Sequence, residues 1–241
     1  MTVIRLRLRD PVPDDGRLVV RGREHRYLSR VRRARPGEPV EVLDGAGLRL
    51  RGTIGSIGPQ EAALVDLVPF DVPQPVPLVL GLGLGRPEPL VRVVRAAAEL
   101  AVARIVPLRC ARDLGRDARA LDALVGRWRR VASEALRAGG VGRAPEIAEP
   151  EPLLAWCRSL QEPTERLWLD ADGEPLADAL RAGAATASSW TMLVGPEGGF
   201  GEEEGRALEE EGFRRVSLSP MPLRMETAAI GALGVFRAVV G

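Results

Sequence analysis

The 241-residue sequence predicts an α/β protein in two parts, a small β-rich domain over residues 1–70 and a mostly parallel, helix-covered sheet over 78–241. Three observations carry this expectation. Short apolar runs with a period of two fill the chain up to residue 70. Four prolines within "PFDVPQPVP" (69–77) then make a stiff, extended stretch, so that 71–77 reads as a linker. Beyond it, strand-length apolar runs alternate with segments of helical period, the pattern of a parallel sheet covered on both faces.

The elements follow in order. "VIRLRLR" alternates apolar residues with arginine, as a half-buried strand does. "REHRYLSRVRRA" has room for one short helix with Tyr27, Leu28 and Val31 on its apolar side. "PVEVLDGAGLRLRGTIGSI" reads as two strands around an Asp-Gly turn, and "AALVDLV" as another strand. After the linker, "PLVLGLGLG" is a buried strand ending in glycines, and 88–103 is a helix with Arg92, Arg95 and Glu99 on one side. "RIVPLRC" is a strand, and 121–140 a helix with a glycine stop. "RLWLD" (166–170), "TMLVG" (191–195) and "FRRVSLS" (213–219) are strands, while 202–212 and 226–240 are helices.

Composition excludes several classes of function. With 28% charged and 45% hydrophobic residues, the chain has the make-up of an ordinary globular protein. One histidine, His25, excludes a histidine-rich metal site, and Cys110 and Cys157 lack the spacing of a zinc site or disulfide framework. No signal-peptide run opens the chain and no eighteen-residue apolar stretch occurs, so a cytoplasmic protein without membrane attachment is expected. The net charge of +1 suggests no nucleic-acid partner, but its distribution does: seven arginines face a single acid in "RGREHRYLSRVRRAR" (21–35). Such a local field steers a phosphate backbone, although it also suits a solvated face.

Two turns near the end of the chain stand out. "LVGPEGGF" (193–200) and "LSPMPLRMETAAIGAL" (218–233) each run from a strand through a turn into a helix. In open α/β sheets ligands bind beyond the carboxyl ends of strands, so both turns belong on a ligand-binding rim. Glycines 195, 198 and 199 let backbone groups approach a ligand, with Glu197 between them. Neither turn has the spacing of a phosphate-cradling loop, and Pro87 and Pro89 interrupt the dinucleotide fingerprint that "GLGLG" would begin. Glu226 and Thr227 occupy first-turn capping positions, and Arg224 either pairs with a nearby carboxylate or serves an active site.

Together the two segments resemble the C-terminal signature of the RsmE-type 16S rRNA uridine-N3 methyltransferases of the SPOUT class. The resemblance spans almost the whole chain. "GREHRYLSRVRRARPGEPVEVLDGAG" is similar to that family's PUA-like N-terminal domain. "RAAAELAVARIVPLRCAR" matches its Glu-Leu-Gly-Val helix end and following arginine at Glu99, Leu100 and Arg112, and "RWRRVASEA" matches at Trp128, Glu134 and Ala135.

The resemblance implies an α/β fold whose C-terminal domain is a trefoil-knotted SPOUT methyltransferase domain, with a small PUA-like β-barrel in front. It implies S-adenosylmethionine as cofactor, bent against the loop after Leu80 (Leu80 and Gly81), the turn Leu193, Val194, Gly195, Pro196, Glu197, Gly198 and Gly199, and the turn bearing Leu218, Ser219, Pro220 and Leu223. Backbone groups would do most of the holding. Arg224 is the first candidate to stabilise charge on the uracil during methylation, and Arg112 the second; no metal is required. Arg23, His25, Arg26, Arg30, Arg32 and Arg33 would contact RNA, the small ribosomal subunit would be the partner, and the enzyme would be a homodimer. The small-residue face of Ala228, Gly231 and Val235, with Gly234 beside it, suits either a partner helix or the chain's own sheet.

The chain also departs from the family pattern. Ala138 stands for a glutamine and Val141 for an arginine, which Arg143 could replace in space. "ELA" replaces Glu-Leu-Gly, Ser219 stands for a glycine and Pro222 for an isoleucine. These departures leave open a diverged SPOUT enzyme with another RNA target. A noncatalytic RNA-binding protein, its cavity filled by Met221 or Met225, is a rival reading, as is a nucleotide-using enzyme with no nucleic-acid substrate.

Overall fold

A computed structural model describes residues 3–9, 11–71, 74–139, 142–161 and 164–241, without the side chains of 137–139. The chain forms two compact units, Met1–Gln74 with Leu136–Ala144, and Pro75–Ala135 with Pro145–Gly241. The inclusion of 136–144 in the first unit differs from the contiguous division expected. Ala144 donates its N–H to the Gly45 carbonyl at 3.1 Å, and Arg143 bridges to Gly45 and Ala46. Val72 and Pro73 of the expected linker lie outside the described residues, as do Val141 and the side chain of Ala138.

In the first unit β1 (Ile4–Arg7), β2 (Leu18–Arg21), β3 (Pro39–Leu43), β4 (Arg49–Ile57) and β5 (Glu61–Pro69) form a five-stranded sheet in the order β1-β3-β4-β5-β2. Only β1 and β3 pair in parallel. Period-two alternation sends Ile4, Leu6, Val40, Val42, Leu50 and Leu64 into one core. Between β3 and β4 the Asp-Gly turn is tied by Asp44, whose Oδ1 accepts N–H bonds from Ala46, Gly47 and Leu48 at 2.7, 2.9 and 2.9 Å.

The expected short helix is α1 (Gly22–Arg26), which widens into a π-helical turn over Tyr27–Arg32 and stops at Arg33 in the left-handed region, φ 48°. Leu28 is fully buried, but Val31 is 69% exposed. The wider turn explains the difference: with i→i+5 bonding, residues three apart no longer share a face.

The second unit is a parallel sheet of β6 (Leu78–Gly83), β7 (Arg104–Arg109), β8 (Glu146–Ile147), β9 (Glu151–Pro152), β10 (Glu165–Pro175), β11 (Trp190–Val194) and β12 (Arg214–Ser217). Its order is β12-β10-β11-β6-β7-β8, with β9 also paired to β7. The central strands β6, β7 and β11 are apolar on both faces, so alternation divides them between two cores. Leu78, Leu80, Leu82, Trp190 and Met192 face a core shared with α2 (Pro87–Glu99), α3 (Ala118–Gly139), α5 (Leu176–Gly183) and α7 (Met225–Val239). Val106, Leu108, Trp168 and Leu193 face the other, with α4 (Leu153–Ser159), α6 (Glu202–Glu210), Phe200 and Phe213. Each fully buried leucine contributes about 1.5–3 kcal/mol of transfer free energy.

Helix α2 ends at Glu99 because Ala101 turns into the left-handed region at φ 55°, letting Val102 donate back to the Ala97 carbonyl at 2.9 Å. The Arg237 guanidinium of α7 donates to the carbonyls of Leu100, Val76, Gly241 and Ala101 at 2.7–2.8 Å.

Candidate functional site

The carboxyl ends of β10, β11 and β12 enclose a cavity of about 300 Å³, within the size range of small-molecule sites. Its wall consists of Leu169–Ala171 within β10, Val194–Gly199 from the end of β11, and Ser217–Ser219 with Met221–Leu223 from the end of β12, closed by Met225 and Ala228 of α7.

Each turn has an identifiable cause. Residues 170–173 loop out of β10, because Leu169 and Glu174 both pair with Val216. Only glycine fits at 173, where a Cβ would lie 2.5 Å from the Val216 backbone. The turn after β11 lies against the end of β6: a Cβ on Gly83 would meet Pro196 N at 2.6 Å. The Glu197 carboxylate reaches back over Gly85 and accepts the Arg86 N–H at 2.9 Å. On the other side, Arg112 Nη1 donates to the Gly198 carbonyl at 2.6 Å, and Arg116 donates to the Gly85 carbonyl. The turn after β12 is held by Ser219, whose Oγ accepts the Met221 N–H at 3.0 Å while its carbonyl accepts Ser217 Oγ at 3.0 Å. Ser219 is not among the positive-φ residues, so a side chain there costs no backbone strain. Leu218 packs onto Gly231 of α7, where a Cβ would meet it at 2.5 Å.

The cavity has a definite electrostatic character. Among the described residues, Asp170 and Glu197 line it and no arginine does. Asp170 Oδ1 accepts a hydrogen bond from Arg215 Nη2 at 2.6 Å. A site with carboxylates, apolar walls and exposed backbone suits a small ligand that carries positive charge and an apolar body.

A second, open cavity of about 880 Å³ adjoins the first and shares Glu197, Pro222, Leu223 and Met225 with it. Its remaining wall is Arg86–Pro89, Arg92, Arg224 and Glu226. Arg92 Nη2 pairs with Glu226 Oε1 at 2.7 Å. The hydrogen bond from its own backbone N–H first, and then this pairing with Arg92 and the nearby charge of Arg224, hold the Glu226 carboxyl below the usual carboxylate range. Glu88 is lowered in the same way by its bond to Arg127 at 2.8 Å. A third cavity of about 440 Å³ lies beside Arg112, Trp168, Asp170, Arg206 and Arg215.

Most residues expected at a cofactor site meet at the first cavity: Val194, Gly195, Pro196, Glu197, Gly198, Gly199, Leu218, Ser219 and Leu223. Four do not. Leu80, Gly81 and Leu193 are buried within strands and face the cores, because β6 stays paired through Gly83 and its loop begins only at Leu84. Pro220 is exposed and lies outside the lining. Arg224 caps α7 beside the second cavity, and Arg112 braces the outer side of the 195–199 turn. Sequence reasoning missed Asp170 and Arg86. The strand-end rule that identified the other turns applied equally to "RLWLD", and would have found the aspartate. No sequence signal marks Arg86.

In the first unit, Arg23, Arg26, Arg30, Arg32 and Arg33 are exposed. His25 is a correction to the expected RNA-contact set. It is 6% exposed, and its Nε2 lies 2.9 Å from the Gly58 carbonyl, a bond that secures α1 rather than a ligand. Cys110 and Cys157 are buried away from the cavities, and burial pushes the Cys157 thiol up to about 12.

The chain is similar to known proteins over most of its length. The RNA methyltransferase domain family matches residues 72–237. Ribosomal RNA small subunit methyltransferase E of Mycobacterium bovis is 31% identical over 234 residues, covering 93% of this chain and 88% of the relative. The protein of the same name from Synechocystis is 26% identical and covers 89% of this chain and 70% of the relative. The crystal structure of ribosomal RNA small subunit methyltransferase E from Neisseria gonorrhoeae, bound to S-adenosyl methionine, shares the fold at a TM-score of 0.79, with 22% identity and 98% of each chain covered.

Proposed function

The chain belongs to the ribosomal RNA small subunit methyltransferase E family, and from that premise we propose that it methylates N3 of a uridine in 16S rRNA, using S-adenosylmethionine. The observation that carries the reading is the first cavity. Its two backbone turns, its apolar wall and the carboxylates of Asp170 and Glu197 in its lining fit a sulfonium cofactor. When bound, the cofactor supplies an electrophilic methyl group on a positively charged sulfur.

The chain's own residues do the rest. Val194–Gly199 and Leu218–Leu223 hold the cofactor largely through backbone, so glycine geometry matters there more than side-chain charge. Uridine N3 becomes a nucleophile only on losing its proton, which moves negative charge onto O2 and O4. Arg224, at the mouth of the second cavity, would stabilise that charge. Arg112 holds the cofactor turn from outside through Gly198, which makes it a positioning residue. The exposed arginines 23, 26, 30, 32 and 33 would bind phosphate and supply affinity rather than base identity.

In this reading the first unit is a PUA-like barrel and the second a trefoil-knotted SPOUT domain. The second assignment is supported by the strand order, in which β11 enters between β6 and β10. The enzyme works in the cytoplasm on small ribosomal subunits as a homodimer. The open position of Gly234, where a Cβ would meet nothing within 4 Å, supports a partner helix on α7. Gly231, in contrast, is already filled by Leu218 of its own chain.

The test is calorimetric titration with S-adenosylmethionine, followed by transfer of labelled methyl to unmethylated small subunits. Saturable binding and one modified uridine are expected. Absence of binding by the isolated protein would overturn the catalytic reading.

A further inference from the structure

We propose that the second cavity receives the acceptor nucleotide, with Arg86 gripping its phosphate and Arg224 facing its base. The proposal rests on the methyltransferase reading and adds a residue and a position to it.

Three carboxylates and three guanidiniums line this cavity, so it is neutral by count. Each carboxylate is already taken: Glu226 by Arg92, Glu88 by Arg127, and Glu197 by the Arg86 backbone N–H. Of the guanidiniums only Arg92 is paired. Arg86 and Arg224 make no side-chain hydrogen bond or ion pair among the described residues, and both are exposed. What remains is two arginines without a side-chain hydrogen bond or ion pair, Arg224 within electrostatic reach of Glu226, at the edge of an open volume in which Glu197 alone of the carboxylates is held by a backbone N–H and not by a guanidinium. That arrangement takes an anion.

The backbone fixes where the two cations begin. Arg86 N–H is held by Glu197, and Pro87 follows at the first position of α2. The Arg224 carbonyl accepts the Ala228 N–H at 2.9 Å at the start of α7. Between them lie Pro222 and Leu223, an apolar surface suited to the face of a base, with Leu223 39% exposed. These two residues and Met225 are also part of the cofactor cavity. A base resting there is one side-chain layer from the cofactor, where methyl transfer needs it. The third cavity fits less well: Arg112 is committed to Gly198 and Arg215 to Asp170 and Asp172, which leaves Arg206 alone, and its lining shares only Asp170 with the cofactor cavity.

The test uses the full-length protein as wild type, Arg86→Ala, Arg86→Lys and Arg95→Ala, the last removing an exposed arginine of the same helix. Three quantities are read: calorimetric affinity for S-adenosylmethionine, kcat and KM on small ribosomal subunits, and binding of a uridine-containing single-stranded oligoribonucleotide across a salt series. For Arg86→Ala we expect unchanged cofactor affinity and KM raised about tenfold with kcat within about twofold. The salt slope should fall by about 0.7, the share of one phosphate on a single strand. Arg86→Lys should recover most of the affinity, and Arg95→Ala should match wild type. Unchanged RNA affinity in Arg86→Ala overturns the proposal, as does an equal loss in Arg95→Ala, which would indicate charge without position. Loss of cofactor affinity in Arg86→Ala would assign the residue to the first cavity instead. If wild type binds no S-adenosylmethionine, the parent reading fails, while the oligonucleotide titration still decides whether Arg86 grips RNA.

Discussion

Gly83→Ala should loosen the cofactor cavity, although Gly83 itself is not part of its lining. The added methyl would lie 2.6 Å from both N and Cδ of Pro196 and 2.9 Å from the Gly195 carbonyl carbon. Ordinary carbon contacts begin near 3.5 Å, so strand and turn must separate by about 1 Å. The strand cannot give way, because β6 is paired to β11 through Leu82 and Val194 and to β7 through Gly83 and Leu108. The turn at 195–199 must move instead, and it carries the Glu197 bond to Arg86 with it. Overpacking of this kind costs about 1–3 kcal/mol. Where the strain falls on the binding turn, about 1.4 kcal/mol of it is a tenfold loss of affinity. The assay is calorimetric titration with S-adenosylmethionine alongside a urea melt, with Gly126→Ala as comparison. Gly126 lies inside α3 with nothing within 4 Å of an added Cβ, so the same methyl there should stabilise by about 0.5–1 kcal/mol. Wild-type cofactor affinity in Gly83→Ala would refute the view that the close approach of strand and turn shapes the cavity.

Three further outcomes follow from other sites. Ala101→Gly should raise stability by about 0.5–1 kcal/mol in urea, since relief of the left-handed strain of about 1–2 kcal/mol at φ 55° exceeds the unfolded-state entropy that glycine adds. Glu204→Ala should destabilise by about 2–3 kcal/mol, because this buried carboxylate accepts the N–H groups of Ala111 and Gly201 at 2.7 and 2.8 Å; Glu204→Gln should retain part of that. Glu226 has a folded pKa below its unfolded value, so its stabilisation is fully present above about pH 4.3 and is lost as pH falls through the depressed value. Urea midpoints of wild type and Glu226→Gln should therefore differ at neutral pH and converge in acid.

Much of this was legible in the sequence. Strands β6, β7 and β11 and helices α2, α6 and α7 declare themselves, because a buried parallel strand needs apolar residues on both faces and its crossover helix needs one apolar stripe. Strand β2, with four residues, and α4 and α5, with seven and eight, are too short for a period to establish itself. The glycines of "GPEGG" showed where backbone meets ligand, yet the extent of β6 was not visible, since glycines 81 and 83 can sit in a central strand as well as in a loop. His25 illustrates the general difficulty. Its place in a basic run says RNA, whereas its burial is decided by the Gly58 carbonyl 33 residues away. The Glu197–Arg86 bond spans 111 residues, and no local pattern encodes it.

The wall common to the first two cavities makes their occupants interdependent. Pro222, Leu223 and Met225 face both volumes, so a ligand that settles their positions from one side removes part of the ordering cost for a ligand on the other. Whatever factor the cofactor contributes to acceptor affinity, the acceptor must return to cofactor affinity. Product release is tied to the same wall: when methyl transfer changes the charge on one side, the hold on the other side changes with it.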